Sequence, residues 1–492
     1  MVHYRSTRGG VRGLSFEQAV LTGLAADRGL LVPEVNEFPT LPADALEKWA
    51  SLSYQELASE ISRDQLRQLV AKSYNSTTFR AEEVAPVVKV TDQMLVLELF
   101  HGPTFAFKDI ALQFLGNLFE FFLKRKNEAL PAGASKHQIT FGHLRPARKE
   151  NVEVFILFPE GRVSAIQQRQ MTTVLDQNIH NVAVKGTFDD CQAIVKDLFA
   201  NAEFKAKYNL GAVNSINFAR ILAQIVYYVW AYFRAREQGV SGEVAFSVPT
   251  GNFGDILAGF YAKKLGVPIG KLIVATNEND ILHRFFSTGK YHRHDIEHTI
   301  SPSMDICVSS NFERYLFALS GENHDILRGW MQGFEQTGEL TISGELLTKA
   351  QDEMASYAVL QKKVCSTIAE YKKVHQYLFD PHSAIGAAAA MHFGQENLAD
   401  KPSSAVVVVG TAHYGKFLPV VSKALGVAES EIQQHPILKA LESLATRLSV
   451  ANNSSATVAE HIRKTVAKKN QKAAVIASVC GLRLPPNVSS PP

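Results

Sequence analysis

Strands and helices alternate between residues 90 and 280, and this alternation limits the possible folds of the chain more than any other feature. Met94 to Phe100 is a short apolar run of strand length, and from Phe107 onward apolar residues recur at helical spacing. Farther along, Glu243 to Val248 has the pattern of another strand, and an amphipathic helix begins at Asp255. Such alternation is typical of βαβ units. We therefore predict an α/β fold built on a parallel sheet.

A lysine, Lys108, stands where the earlier strand gives way to its helix. It belongs to the sequence His-Gly-Pro-Thr-Phe-Ala-Phe-Lys-Asp of residues 101–109, which places it in the first helical turn. The positive end of the helix and the flanking aromatic side chains favour the neutral amine, the form that attacks a carbonyl. These properties suit a Schiff-base lysine. Taken alone, a lysine beside phenylalanine is more often a surface charge.

A glycine-rich turn joins the later strand to its helix and reads Pro-Thr-Gly-Asn-Phe-Gly-Asp over residues 249–255. Backbone N–H groups in such a turn, at the start of a helix, can approach a phosphate closely. The turn is neither a P-loop nor a dinucleotide-binding pattern, because it lacks the residues of both motifs. A tight turn with a glycine cap is the alternative interpretation. A Schiff-base lysine together with a separate phosphate cradle predicts pyridoxal phosphate as the cofactor.

Further motifs follow in order over most of the chain. They occupy residues 4–8, 23–30, 170–174, 214–220, 275–280, 303–306, 310–314, 380–384 and 410–413. With these motifs and residues 101–109, the sequence resembles threonine synthase, in the branch with a long N-terminal domain found in fungi and many bacteria. The resemblance implies fold type II of the pyridoxal-phosphate enzymes, similar to tryptophan synthase β, with parallel sheets flanked by helices and a helical N-terminal domain.

The resemblance also implies roles for single residues. Lys108 is expected to hold the cofactor and to move protons among the substrate carbons. The expected cofactor phosphate loop consists of Gly251, Asn252, Phe253 and Asp255. Thr411 is expected to present its hydroxyl to the pyridine nitrogen. It follows the apolar strand Ala405 to Val409, and ligands of open α/β sheets bind at the carboxyl ends of strands. A helix cap is the alternative interpretation of Thr411.

The implied reaction converts O-phosphohomoserine and water into L-threonine and phosphate, the last step of threonine biosynthesis, by γ-elimination and β-hydration. An enzyme of this kind is a carbon–oxygen lyase acting on phosphate. Its site must bind the substrate carboxylate and the substrate phosphate. The expected anion-binding residues are Asn214, Ser215, Asn217 and Arg220. Arginine suits bidentate capture of either anion, although Arg220 opens an apolar helical stretch and equally suits a structural ion pair.

Residues 141–150 depart from the family pattern. The family carries a strand, a Ser-Gly-Asp-Thr-Gly turn under the substrate carboxylate, and a helix before the strand that corresponds to Val152 to Phe158. This chain instead reads Phe-Gly-His-Leu-Arg-Pro-Ala-Arg-Lys-Glu, and the family register resumes at Asn151. Either the block is deleted, or these residues carry a gene-model or frameshift error. The intact motifs elsewhere favour the error.

A true deletion leaves two alternative functions. One is a threonine synthase-like phospholyase, which eliminates phosphate without hydrating correctly. The other is a catalytically impaired, cofactor-binding remnant, since the lost turn would remove a charge-assisted contact of about 1.5–3 kcal/mol from the substrate carboxylate. A dehydratase of the same fold is disfavoured by the long N-terminal domain.

The chain has 492 residues, too many for one hydrophobic core. We predict an N-terminal domain over residues 1–90, a catalytic region of two α/β subdomains over 91–430 with a helical insertion at about 283–374, and a helical extension with a frayed tail over 431–492. A net charge of +3 does not call for nucleic acid. The longest apolar helical stretch, Ile221 to Phe233, is too short to span a bilayer.

The four cysteines are far apart and show no metal-binding spacing. We therefore expect no metal site and a reducing compartment. The family's opening motif starts within a few residues of Met1, which leaves no room for a signal or transit peptide and favours the cytoplasm. The expected partner is a small-molecule substrate, without nucleic acid or membrane, and the expected assembly is a monomer or a homodimer.

Overall fold

A computed structural model describes residues 2–34, 41, 44–61, 67–128, 152–208, 210–212, 216–467 and 474–479. These residues form parallel sheets and helices, as the alternating pattern predicts. The strands are β1 Tyr4–Ser6, β2 Leu31–Pro33, β3 Val87–Thr91, β4 Met94–Glu98, β5 Val152–Pro159, β6 Ile179–Lys185, β7 Gly211–Ala212, β8 Val244–Pro249, β9 Ile269–Thr276, β10 Lys290–His292, β11 Glu339–Thr341, β12 Met354–Ala358, β13 Ala405–Gly410, β14 Ser449–Asn452 and β15 Ala474–Val479.

Helices connect most of these strands. They are α1 Phe16–Thr22, α2 Ala45–Trp49, α3 Tyr54–Ile61, α4 Arg67–Ser73, α5 Lys108–Glu128, α6 Ala165–Thr172, α7 Phe188–Ala200, α8 Ala202–Tyr208, α9 Phe218–Glu237, α10 Gly254–Lys264, α11 Ile281–Thr288, α12 Phe312–Leu319, α13 His324–Thr337, α14 Glu345–Glu353, α15 Gln361–His375, α16 Pro381–Asn397, α17 Leu418–Leu425, α18 Pro436–Ala440 and α19 Ser455–Ala467. Among the described residues, none of the helices combines the length and apolar character needed to cross a membrane.

The chain divides into two units. The first contains Met1–Pro33, Ala111–Arg220 and Gln434–Pro492, and the second contains Glu34–Ile110 and Ile221–Gln433. The domain boundaries expected at residues 90 and 430 stay a prediction.

The second unit contains a six-stranded sheet in the order β12-β9-β8-β13-β4-β3. Its strands are parallel except β3, which pairs with β4 in the antiparallel direction. Every residue of β8 and β13 is buried, as expected for apolar strands covered on both faces. The predicted strands over residues 94–100, 243–248 and 405–409 are confirmed as β4, β8 and β13. The carboxyl ends of these adjacent strands therefore meet at one edge of the sheet.

Helix α16 packs closely against this sheet. Asp380 caps its N-terminus and Pro381 occupies its first turn, which is a favourable start for a helix. A Cβ at Gly386 would lie 3.1 Å from Pro249 Cδ, so glycine permits the close approach. The hydroxyl of Ser247 on β8 donates to the Gly386 carbonyl oxygen at 2.7 Å.

The first unit contains a five-stranded parallel sheet in the order β14-β6-β5-β15-β7. Its core includes Phe155, Val184, Val195 and Ile462. The expectation of a frayed C-terminal tail is wrong for Ala474–Val479, which forms β15 and pairs with β5 over six residues. The sequence Ala-Val-Ile-Ala-Ser-Val explains the difference, because a short apolar run rich in β-branched residues favours a buried parallel strand.

Candidate active site

The residues predicted to bind the cofactor all belong to the second unit. The segment of residues 101–108 follows β4, the turn of residues 250–253 follows β8, and Thr411 follows β13. These strands are neighbours and parallel, so the structure brings the three segments to the same edge of the sheet. The carboxyl edge of an open α/β sheet is where ligands bind.

Lys108 is the first residue of α5 and is half-buried, which confirms its predicted place in the first helical turn. The N–H of Phe107 donates to the carbonyl oxygen of Thr411 at 2.8 Å, and Ala106 forms an isolated bridge with Ala412. The backbone beside the lysine is therefore tied directly to the segment that carries Thr411. Phe105, two residues before Phe107, has a φ of +56°, a left-handed conformation that residues other than glycine rarely adopt.

Asp109 anchors this segment from the position next to Lys108. Its carboxylate is fully buried and accepts from the Thr104 N–H at 2.7 Å and from the Thr104 hydroxyl at 2.6 Å. The buried Lys416 ammonium donates to the Thr104 carbonyl oxygen at 2.9 Å. Burial raises the pKa of Asp109 to about 6, although the Thr104 hydrogen bonds and the charges of Lys416 and Arg80 oppose this rise. Lys416 was not among the predicted site residues, because no local pattern connects it with residues so far away in the chain.

The predicted phosphate loop ends at the N-terminus of α10. Phe253 is the N-cap and has a φ of +60°. The first N–H groups of a helix have no acceptor inside the helix, and the helix end carries partial positive charge, so this terminus suits an anion. A Cβ at Gly251 would lie 3.3 Å from the Ser303 carbonyl oxygen and 3.5 Å from Met304 Cα. Glycine therefore lets the neighbouring loop pack tightly against the cradle.

Residues 309–311 form hydrogen bonds with the backbone of the predicted phosphate loop. The Ser309 hydroxyl donates to the Gly251 carbonyl oxygen at 2.7 Å. The backbone and side-chain N–H groups of Asn311 donate to the Asn252 carbonyl oxygen at 3.1 and 3.0 Å. These bonds engage the carbonyl side of the loop. Residues 310–314 are one of the motifs of the resemblance, but no role was predicted for them.

Asp255 lies in the first turn of α10 and contacts two buried tyrosines. Its Oδ1 accepts from the hydroxyls of Tyr227 at 2.6 Å and Tyr228 at 2.8 Å. Burial, with the Asp255 charge as the next contribution, raises the pKa of both tyrosines well above the usual value, so both remain donors. These contacts fix the start of α10, and the predicted contact of Asp255 with the cofactor stays a prediction.

Thr411 is buried at the end of β13, and its N–H donates to the Ser383 hydroxyl at 2.9 Å. The N-cap of the 3₁₀ turn that follows is His413 and not Thr411, so the helix-cap interpretation is not supported. Ser383 in turn donates to the carboxylate of Asp380. Residues 380–384 are one of the motifs of the resemblance, and no role was predicted for them.

The two predicted substrate-binding residues that the structure describes are not in the same unit as the cofactor residues. Asn217 and Arg220 belong to the first unit, and Asn214 and Ser215 lie outside the described residues. The Asn217 amide donates to the Val20 carbonyl oxygen at 2.8 Å and accepts from the Ala219 N–H at 3.1 Å, so it caps the start of α9. Arg220 is buried. A substrate role for these residues stays a prediction, and residues 141–150 also lie outside the described part.

The residues of the second unit fit pyridoxal phosphate. They provide a half-buried amine at Lys108, a helix N-terminus with a glycine that brings its neighbouring loop close, and a buried hydroxyl residue at an adjacent strand end. These groups match the aldehyde, the phosphate and the ring of that cofactor. Within the described residues, no group of three or more His, Cys, Asp or Glu side chains could hold a metal ion.

Comparison with known proteins agrees with this geometry. The family model described as "Threonine synthase N terminus" matches residues 3–77, "Pyridoxal-phosphate dependent enzyme" matches residues 74–329, and "Threonine synthase, C-terminal" matches residues 383–462. The chain is 46% identical over 465 residues to the threonine synthase of Schizosaccharomyces pombe, covering 86% of this chain and 89% of that protein.

Solved structures show the same relationship. The crystal structure of yeast threonine synthase superposes with a TM-score of 0.84 at 40% identity, covering 95% of this chain and 99% of that one. The pyridoxal-phosphate-bound threonine synthase of Brucella melitensis gives a TM-score of 0.81 at 38% identity, covering 94% and 99%. The chain therefore belongs to the threonine synthase family of pyridoxal-phosphate-dependent lyases.

Proposed function

We propose that this chain converts O-phosphohomoserine and water into L-threonine and phosphate, with Lys108 as the catalytic residue. One observation carries the proposal: the Lys108 segment is hydrogen-bonded to the Thr411 segment at the carboxyl edge that also carries the glycine-rich turn. A lysine, a hydroxyl and an anion cradle meet at this edge. These are the groups that the cofactor of the family requires.

Pyridoxal phosphate, when bound, supplies an electron sink for negative charge on the substrate carbons. Gly251, Asn252, Phe253 and Asp255 hold its phosphate through the start of α10. Lys108 then accepts and returns protons at the substrate carbons with its side-chain amine. The neutral hydroxyl of Thr411 would serve the ring nitrogen without adding charge, which suits elimination and replacement.

The substrate carries two anionic groups. We assign their binding to Arg220, Asn217, Asn214 and Ser215, of which Arg220 supplies the positive charge. A guanidinium keeps its charge when it is buried and offers paired donors to a carboxylate or a phosphate. The contacts of Asn217 at the start of α9 support a positioning role for the segment that carries Arg220.

We also propose that the protein works in the cytoplasm as a monomer or a homodimer. Cys365 is a free thiol, which suits a reducing compartment. Analytical ultracentrifugation of the purified chain distinguishes the two assemblies.

The test is an assay of both products. The wild-type chain is incubated with pyridoxal phosphate and O-phosphohomoserine, and phosphate and threonine are measured separately. We expect equal amounts of both, loss of both in Lys108→Ala, and no change in Lys423→Ala, which replaces an exposed lysine on α17 in the same unit. Absence of phosphate release from the wild-type chain would overturn the proposal.

The departure at residues 141–150 favours one second candidate. Without the Ser-Gly-Asp-Thr-Gly turn, elimination of phosphate can proceed while hydration fails, which is the activity of a phospholyase. The product assay separates the two reactions, since a phospholyase releases phosphate and ammonia with a keto acid and little threonine.

A further inference from the structure

A buried hydrogen-bonded cluster lies at the start of α16. It consists of Asp380, His382 and Ser383 and is here called the Asp380 cluster. The Asp380 carboxylate accepts from the N–H groups of His382 at 2.9 Å and Ser383 at 3.2 Å. It also accepts from the His382 ring at 3.0 Å and from the Ser383 hydroxyl. All three residues are at most 5% exposed. Four donors match the capacity of a carboxylate, so this anion is fixed in place.

One arm of the cluster leads to Thr411. The Ser383 hydroxyl donates to Asp380, and its oxygen accepts the Thr411 N–H at 2.9 Å. The backbone of the residue proposed to face the cofactor ring is thus placed by Asp380 through a single side chain.

The other arm leads to the phosphate loop. Since His382 Nδ1 lies against the Asp380 carboxylate, this nitrogen carries the proton and Nε2 is an acceptor. Nε2 accepts from the Ser303 N–H at 3.3 Å. Ser303 and Met304 are the residues that a Cβ at Gly251 would meet first. The loop that backs the phosphate cradle is therefore also placed by Asp380, through the His382 ring.

We propose that the Asp380 cluster is a positioning device that sets the ring-binding end and the phosphate-binding end of the cofactor site from one carboxylate. The inference rests on the proposed function, because it assigns Thr411 and Gly251 to opposite ends of the same cofactor. Because the Asp380 carboxylate holds both ends of the site, the distance between them stays constant, which suits a ligand of fixed length.

The two arms are tested separately with three probes added to apo-protein: pyridoxal phosphate, pyridoxal and inorganic phosphate. His382→Asn retains a donor near Asp380, but its shorter side chain has no acceptor at the position of Nε2, where the Ser303 N–H is bound. We expect this variant to bind inorganic phosphate and pyridoxal phosphate about fivefold to tenfold more weakly than wild type, and to bind pyridoxal with an affinity within about twofold of wild type.

Ser383→Ala removes the acceptor of the Thr411 N–H. We expect this variant to bind pyridoxal and pyridoxal phosphate about fivefold to tenfold more weakly than wild type, and to bind inorganic phosphate with an affinity within about twofold of wild type. Asp380→Asn places an amide donor against donors of the cluster. We therefore expect this variant to bind all three probes more weakly than wild type.

Ser247→Ala is the matched control, since it removes a buried serine hydroxyl that bonds the same helix outside the cluster. It is expected to lower the melting temperature of the apo-protein and to leave all three affinities within about twofold. Equal losses for all probes in His382→Asn and Ser383→Ala, or losses that merely follow the melting temperature as in the control, would overturn the inference. A wild-type chain that binds none of the probes would instead overturn the proposed function together with it.

Discussion

Replacing Asp109 by asparagine tests how the Lys108 segment is held, because Asp109 is a buried acid with an altered pKa. Its folded-state pKa of about 6 lies above the ordinary value of 3.8, with burial as the main cause. The folded protein therefore binds this proton more tightly than the unfolded chain does. The stability contribution of the proton is complete below the unfolded pKa and is lost as the pH rises through about 6.

The magnitude follows from the shift. A difference of about two pKa units corresponds to about 3 kcal/mol of unfolding free energy over the whole range. About 1.4 kcal/mol of this is lost between pH 5 and pH 8, because the unfolded chain is already ionised at pH 5. The asparagine side chain in the Asp109→Asn variant would not titrate, while its amide can still bond both groups of Thr104. The wild-type carboxyl is mostly protonated at pH 5, so the negative charge beside Lys416 develops only as the pH rises, and its effect is already contained in the pKa of about 6.

The measurement is urea denaturation of the wild type and Asp109→Asn at several values between pH 5 and pH 8. We expect the unfolding free energy of the variant, relative to wild type, to increase by about 1.4 kcal/mol from pH 5 to pH 8. Asp400→Asn is the control, because Asp400 is exposed, and its difference from wild type is expected to stay flat. A wild type and an Asp109→Asn variant with parallel pH profiles would refute the reasoning.

Other expected outcomes concern strand β15 in the first unit and the packing of two glycines in the second. A chain that ends at residue 473 lacks β15, which exposes one edge of β5 and leaves β7 without its partner strand. It should lose several backbone hydrogen bonds of about 1 kcal/mol each and melt well below a chain that ends at Val479, and similar melting temperatures would contradict the sheet order. Gly102→Ala would place a Cβ 2.4 Å from the Cβ of Asp109, so it should lower both the melting temperature and the cofactor affinity. Gly394→Ala meets no atom within 4 Å and should leave both unchanged or raise stability by up to about 1 kcal/mol, so equal effects of the two substitutions would refute the contact.

The sequence predicts the central strands well because burial on both faces leaves a continuous apolar signal. The strands β8 and β13 and the first turn of α5 at Lys108 are found in this way, since each depends on local pattern.

Contacts between distant residues are not contained in such patterns. Nothing near Asp255 indicates that its carboxylate accepts from two tyrosines of α9, and nothing near Lys416 indicates that it bonds Thr104. The position of β15 in the five-stranded sheet could not be predicted for the same reason, because an apolar hexapeptide indicates a strand but not its partners. The left-handed conformation of Phe253 also had no signal, since this region ordinarily favours glycine.

The most direct test of the central claim identifies the lysine that binds the cofactor. The purified chain is incubated with pyridoxal phosphate, reduced with borohydride to make the lysine–cofactor bond permanent, digested and mapped by mass spectrometry. We predict one modified peptide, with the phosphopyridoxyl group on Lys108, and no such peptide from Lys108→Ala. A modification on another lysine such as Lys416, or none at all in the wild-type chain, would contradict the account.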